Sequence, residues 1–326
     1  MHFSFYSEIL NVMKYKCLIS NVLCFSFFVV GLLSCGKSND KVAPVASKDA
    51  FHLTDTLTRV YENPKITEFK LFIAQLDSSS AVSVTKAAEK YKQIFTGQST
   101  LLCDSGFVLF QALYDSLELN LSNVHQNDTV NYEPLLLKNE AAIPQKLKDY
   151  RNNLRLNGFK ISSSDGVTYV EQDRNFIARN FYSFVTFVMK EYLTELQKEN
   201  KEGFANETSI TISPKQLVDR NVWYEKFVYE NPAFVFAKNC KDYQKAYLSY
   251  LLSGYQNTRI YVNEDTKELS SYYVNAYNYL LSKYTDSQTA QLVSPYYEAL
   301  KQKQTATAQS ILKNYHIKGL IYGAKH

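Results

Sequence analysis

From residue 51 onward the apolar positions recur at intervals of three and four, the spacing of one buried stripe on an amphipathic helix. Ile66, Phe69, Phe72, Ile73 and Leu76 form one stripe, and Val84, Ala87, Ala88, Tyr91 and Phe95 a second. Phe107, Phe110, Leu113, Tyr114, Leu117 and Leu121 form a third, which ends in the polar stretch 122–133. A further helix is expected with Ile143, Leu147, Tyr150 and Leu154 on its buried side. The period changes once. In residues 156–172, LNGFKISSSDGVTYVEQ, Phe159 and Ile161 and then Val167 and Tyr169 alternate with polar residues on either side of Ser164-Asp165-Gly166. That pattern predicts a β-hairpin.

Asp173 is placed to N-cap a long helix over 175–199. Phe176, Ile177, Phe181, Phe184, Val188, Tyr192 and Leu196 are expected inside it, and Lys190, Glu191, Glu195, Lys198 and Glu199 on its solvated face. Ser213-Pro214 starts another helix, with Leu217, Trp223, Phe227 and Val228 along its stripe. Four more are predicted over 233–252, 266–284, 287–302 and 306–315. The fold class is therefore mainly α, an irregular array of about ten helices with one small β-hairpin insertion between two helical halves. The pentapeptide VYENP occurs at 60–64 and 228–232, but nothing beyond it aligns, and Asn-Pro is a helix-start signal that recurs without duplication.

Upstream the pattern is different. Lys14 and Lys16 precede an apolar run over 17–33, broken only by Ser20, Asn21, Ser26 and Gly31, and the run ends at Ser34-Cys35. This is the anatomy of a secretory signal, and the run is at the short end for an uncleaved membrane anchor, the competing reading. Leu32-Leu33-Ser34-Cys35 resembles the lipobox of bacterial lipoproteins. The resemblance implies that Cys35 is acylated on sulfur, exposed by cleavage and left as the first residue of the mature chain. The organisation that follows is a signal peptide over 1–34, with Met13 an alternative start, then lipidated Cys35 and a tether to residue 50, then a helical globular domain over 51–326. The tether, GKSNDKVAPVASKDA after the cysteine, is polar with one proline and reaches a few tens of Å as a coil. The expected location is the bacterial cell envelope, with Gly36 in place of an aspartate pointing to the outer membrane.

Composition changes this picture little. The chain has 36 Lys and Arg against 32 Asp and Glu, and Lys14, Lys16 and Glu8 leave with the signal. So small and evenly spread a charge implies no nucleic-acid partner. Of five cysteines, only Cys103 and Cys240 remain as thiols in the mature domain. In an oxidising compartment they are a candidate disulfide, or else two small buried hydrophobes.

The sequence contains no HExxH, phosphate-binding glycine loop, GxSxG or CxxC, and His52, His125, His316 and His326 lie far apart in segments that read as exposed or terminal. No metal and no cofactor is expected. Two acid pairs have the residue types for glycoside hydrolysis: Asp219 with Glu225 around Trp223, and Glu171 with Asp173 beside the hairpin. Each also reads as a helix cap or a solvated face.

Tyrosine is the distinctive residue, with sixteen of 26 falling between Tyr224 and Tyr322. A helix buries one stripe, so most should be half-buried boundary residues, and Tyr250, Tyr273, Tyr279 and Tyr297 are expected off the core face as a binding surface. The reading is a non-catalytic, membrane-anchored module that binds a protein or glycan in the envelope. A polysaccharide or cell-wall hydrolase with a carboxylate pair and a structural assembly lipoprotein are the alternatives. A helical, aromatic-rich lipoprotein is similar to the SusD-like glycan-binding lipoproteins, but this chain is much shorter and lacks their helical repeats.

Overall fold

The computed structural model describes residues 63–323, apart from 138, 165–166 and 207. The signal-like run, Cys35, the tether, His52 and His326 lie outside the described residues. The chain is mainly helical, with eleven α-helices and three two-stranded antiparallel sheets among the described residues. None of these helices is long and apolar enough to cross a membrane. The chain divides into two compact units, the first ending at Thr194 and the second beginning at Glu195.

The first unit contains α1 (Pro64–Ala74), α2 (Val82–Phe95), α3 (Thr100–Asn127), α4 (Gln145–Leu156), β1 (Phe159–Ser164), β2 (Val167–Gln172), α5 (Arg174–Phe181) and the first part of α6 (Phe187–Glu202). Its axis is α3, which packs against α1, α2 and β2. Ser99 caps α3 by accepting the Leu102 N–H, and the helix buries Phe107, Phe110, Tyr114, Leu117, Leu121 and His125. It continues past the expected stop at 122 because His125, one turn after Leu121, stays on the buried stripe. A Cβ on Gly106 would lie 2.5 Å from the Phe95 ring, so the bare backbone is what lets α2 and α3 approach. Around α3 the Phe181 ring packs at 4.3 Å from Phe110 and 4.8 Å from Tyr91, centroid to centroid.

The hairpin forms where expected, but β2 presents the opposite face. Register pairs Phe159 with Gln172 and Ile161 with Val170. With Ser164 paired to Val167, odd positions on β1 face even positions on β2. Thr168, Val170 and Gln172 are therefore buried, and Val167 is exposed. The β2 backbone is tied to α3 through Ser122, whose hydroxyl donates to the Val170 carbonyl at 2.7 Å.

Asp173 caps the next helix by accepting the Asn175 N–H, but the single helix expected over 175–199 is two. The Asp104 carboxylate accepts both the Thr186 N–H at 2.9 Å and the Thr186 hydroxyl at 2.6 Å, and the Thr186 oxygen accepts the Met189 N–H. Asp104 thereby fixes Thr186 as the cap at the start of α6.

The second unit contains the rest of α6, β3 (Ala205–Asn206), β4 (Ser209–Ile210), α7 (Pro214–Glu230), α8 (Ala237–Ser253), β5 (Tyr261–Asn263), β6 (Glu268–Leu269), α9 (Ser271–Lys283), α10 (Gln288–Lys301) and α11 (Thr305–Ile317). The two short hairpins add to the one expected. The second displaces the expected start of α9 from 266 to Ser271, because the Asn263 side chain accepts the Asp265 and Thr266 N–H groups in a turn and Lys267 takes a left-handed conformation at φ 54°. Ser213 and Gln216 close a reciprocal capping box at the start of α7, with Pro214 in the first turn. This helix is the hub of the unit, packing against α8, α9 and α10.

Three tyrosines expected off the core face are inside it. Tyr250, Tyr273 and Tyr297 are buried, as is the doublet partner Tyr296. The rings pack as tilted neighbours, Tyr273 to Tyr277 at 6.0 Å and Tyr277 to Tyr297 at 4.9 Å, while the hydroxyls reach polar partners: Tyr273 donates to the Thr258 carbonyl at 3.0 Å and Tyr297 to the Asn278 side chain at 3.2 Å. Tyr250 is enclosed by Phe204 at 4.8 Å and Tyr255 at 5.5 Å. The candidate disulfide does not form. Cys103 and Cys240 are free and buried, one in each unit, and burial pushes the Cys240 thiol up to about 12.

Tyr277 is fully buried and donates at 2.6 Å to the carbonyl of Leu251, in the last turn of α8 where helix carbonyls lack intrahelical N–H donors. Tyr277→Phe should lower the unfolding free energy by about 1–3 kcal/mol, measured by urea denaturation; an unchanged midpoint would show that this bond does not hold the α8 end.

Candidate functional site

The two faces of α7 carry different chemistry. Along the outer one, Lys215, Asp219, Trp223 and Lys226 follow at intervals of four, four and three, so they line one side of the helix. Lys215 and Lys226 are exposed, Asp219 and Trp223 half-buried. The Asp219 carboxylate accepts the Tyr279 hydroxyl at 2.9 Å and the Tyr284 hydroxyl at 2.6 Å, and Lys283 Nζ lies 3.4 Å from it. Lys283 also sits over both rings, 5.0 Å from the Tyr279 centroid and 4.8 Å from that of Tyr284, and Lys215 approaches Tyr279 from 5.4 Å. Hydrogen bonds to Tyr279 and Tyr284, together with the Asp219 charge, push the Lys283 ammonium above the usual lysine range. Trp223, one turn after Asp219, is stacked on Phe227 at 4.7 Å and 15°. The strip thus presents three half-buried aromatic rings fixed in place, with three lysines beside them. Of the four tyrosines singled out from the sequence, Tyr279 alone belongs to it.

The inner face of α7 buries Leu217, Arg220, Asn221, Tyr224 and Phe227. Arg220 is 1% exposed, an unusual place for a guanidinium. It donates to the Glu202 carboxylate at 2.9 Å, to the Gly203 carbonyl at 2.8 Å and to the Tyr247 hydroxyl at 3.4 Å. The Tyr247 hydroxyl in turn donates at 2.7 Å to Glu199, which is 6% exposed. Burial pushes the Glu199 carboxyl up to about 7, against the pull of the Arg220 charge and the Tyr247 and Tyr224 hydroxyls, while neighbouring Glu195 raises it further. Glu202 is also lifted by burial, but its bond to Arg220 and the Arg220 charge outweigh that and leave it below the usual carboxylate range.

Glu195 and Glu199, expected on the solvated face of their helix, are both buried. Glu199 lies there with the Tyr247 hydroxyl donating to it and the Arg220 charge nearby, and Glu195 with Lys198 Nζ at 3.0 Å. Arg220 was the available signal, since it falls three residues after Leu217 and four before Tyr224, on the apolar stripe of α7.

The acid pairs separate. Glu225 accepts the Gln288 N–H at 2.7 Å, the Thr289 N–H at 2.9 Å and the Thr289 hydroxyl at 2.6 Å, which makes it an outside cap for α10. Asp219 faces α9 instead. Glu171 bonds across the hairpin to Ser162 and Lys160, and Asp173 caps α5. All four acids therefore hold structural donors.

His125, expected exposed, is 3% exposed. Its ring stacks on Tyr132 at 3.8 Å, Nδ1 is 3.0 Å from the Tyr150 hydroxyl and Nε2 is 2.6 Å from that of Thr168. His316 is exposed. Among the described residues no three His, Cys, Asp or Glu side chains converge as metal ligands.

Replacing Arg220 with leucine leaves Glu199, Glu202 and the Gly203 carbonyl without their cation, so R220L should destabilise the protein by about 3–5 kcal/mol. A loss below about 1 kcal/mol on chemical denaturation would mean that the buried carboxylates find other partners. No protein-family model, curated protein or solved structure matches the chain.

Proposed function

We propose that the protein is a lipid-anchored, non-catalytic binding module of the bacterial envelope, and that it holds a protein or glycan partner on the outer strip of α7 and α9. The observation that carries this reading is the arrangement of Trp223, Tyr279 and Tyr284 around Asp219. Aromatic rings supply large contact area at low entropic cost, and they dominate the energetics of binding surfaces. Here the hydroxyls of Tyr279 and Tyr284 are already held by Asp219, which reduces the ordering cost on association. Lys215, Lys226 and Lys283 add cationic donors for carboxylates, hydroxyls or carbonyls of a partner. The capping and cross-strand bonds of Asp219, Glu225, Glu171 and Asp173 favour binding over hydrolysis, since each carboxylate is already engaged by a structural donor.

The anchor belongs to the same reading and rests on the Leu32-Leu33-Ser34-Cys35 resemblance, with Gly36 favouring the outer membrane. A tether of this length keeps the domain within a few tens of Å of its bilayer, so the partner is an envelope component.

The test is mild-detergent purification of the tagged full-length protein from its own membranes, alongside a Cys35→Ala strain and a Tyr279→Ala/Lys215→Glu variant whose melting curve matches the parent. Retention of a stoichiometric protein or glycan should fall by about tenfold or more in the strip variant, as for loss of an aromatic anchor. Equal retention by that variant, or recovery of the parent alone, would overturn the assignment. Failure of Cys35→Ala to leave the membrane would overturn the anchor separately.

A further inference from the structure

Each unit buries an ionisable side chain whose charged form burial disfavours, and the two have opposite charge types. In the first unit it is the imidazole of His125. Its neutral ring offers one donor and one acceptor, and these match the two hydroxyls of Tyr150 and Thr168 at 3.0 and 2.6 Å. The titratable and charged groups facing it are few. From α3 comes Asp128; from the segment after α3, Tyr132, whose hydroxyl donates to Asp128 at 2.9 Å. From α4 comes Tyr150, with Lys146 acting on Asp128; from β2 comes Thr168, which is uncharged. No carboxylate lies within hydrogen-bond distance of the ring among the described residues. Protonation therefore places a cation against two hydroxyls and a stacked tyrosine.

In the second unit the group is Glu199. Facing it from α6 are Glu195, itself buried, and Glu202, with Lys198 paired to Glu195 at 3.0 Å. From α7 come Arg220 and Tyr224, and from α8 come Tyr247 and the Cys240 thiol. The guanidinium, which could have neutralised Glu199, donates instead to Glu202 and Gly203. Protonation of Glu199 removes a buried negative charge beside a second carboxylate, and the Tyr224 and Tyr247 hydroxyls remain as partners for the neutral acid.

We propose that protons act on the two units in opposite directions: acidification from neutral tightens the second unit through Glu199 and loosens the first through His125. The signs follow from linkage. A carboxyl whose folded value is raised, here to about 7 from an ordinary 4.5, contributes stability that is complete below the ordinary value and is lost as pH rises through the folded one. A histidine lowered by burial from 6.5 contributes stability that is present above 6.5 and is lost as pH falls. Mild acid thus moves stability from one part of the chain to the other, independently of what the outer strip binds.

Hydrogen exchange read peptide by peptide on the full-length protein in detergent, corrected for intrinsic rates, tests this at about pH 8 and about pH 5. Protection of α7 and α8 should rise by about tenfold or more on acidification, and protection of α3 and β2 should fall. E199Q should flatten the response of α7 and α8 and leave that of α3 unchanged; H125Q should do the reverse. Because H125Q removes packing as well as a proton site, the imidazole signals of the parent protein are also titrated by NMR, and His125 should take up its proton below the ordinary 6.5. Both units moving in the same direction, an undiminished response in E199Q, or a His125 ring that takes up its proton at or above 6.5 would overturn the proposal.

Discussion

The fold depends on buried tyrosines whose rings fill the core while their hydroxyls donate to main-chain carbonyls. In the first unit Tyr91 donates to the Cys103 carbonyl at 2.8 Å, and Tyr114 to that of Gly158 at the α4–β1 turn. In the second, Tyr272, Tyr273, Tyr277 and Tyr315 donate to Ile212, Thr258, Leu251 and Leu292. Of these acceptors Leu251 ends a helix, where carbonyls lack helical N–H donors, and Gly158, Ile212 and Thr258 lie in the connections between elements. A phenylalanine core would forfeit these donors. Tyrosine supplies nearly the same apolar area with a donor at the tip, so a helical array rich in connections can close its core without ordered water at every junction. Burial raises these phenols above their usual range, which keeps them as donors.

This also explains where the sequence was readable and where it was not. Periodicity located the helices because burial of one stripe is the same physics in any context, and the caps at Asp173 and Ser213 were legible because they are local. The sorting of tyrosines was not. Tyr273 and Tyr279 stand six residues apart on α9 with similar neighbours, and only the position of Thr258 and Asp219 elsewhere in the chain decides that one hydroxyl turns inward and the other towards α7. The break between α5 and α6 has the same origin, since the donor of Thr186 is captured by Asp104, 82 positions away in sequence. The exposed face of β2 followed from the register of the two strands, which the pattern of apolar letters does not carry.

Within the second unit α7 joins the two polar systems. Its outer side holds Asp219 and the exposed strip, its inner side Arg220 and the buried carboxylates, and adjacent residues on one helix separate the two by about 100° of rotation. The candidate site was half legible: Tyr279 and the acids around Trp223 stood out by residue type. Glu199, Arg220 and Tyr247 did not, because a glutamate on a helix reads as solvated until its partner from another helix is in view.

The two buried cysteines have a practical consequence. Each unit holds one thiol that solvent cannot reach in the closed state, Cys103 in the first and Cys240 in the second. Their thiolate forms are suppressed by burial, so alkylating reagents can modify them only when the surrounding helices part. Among the described residues the chain therefore carries two internal clocks, one for the opening of each unit, that require no engineered label.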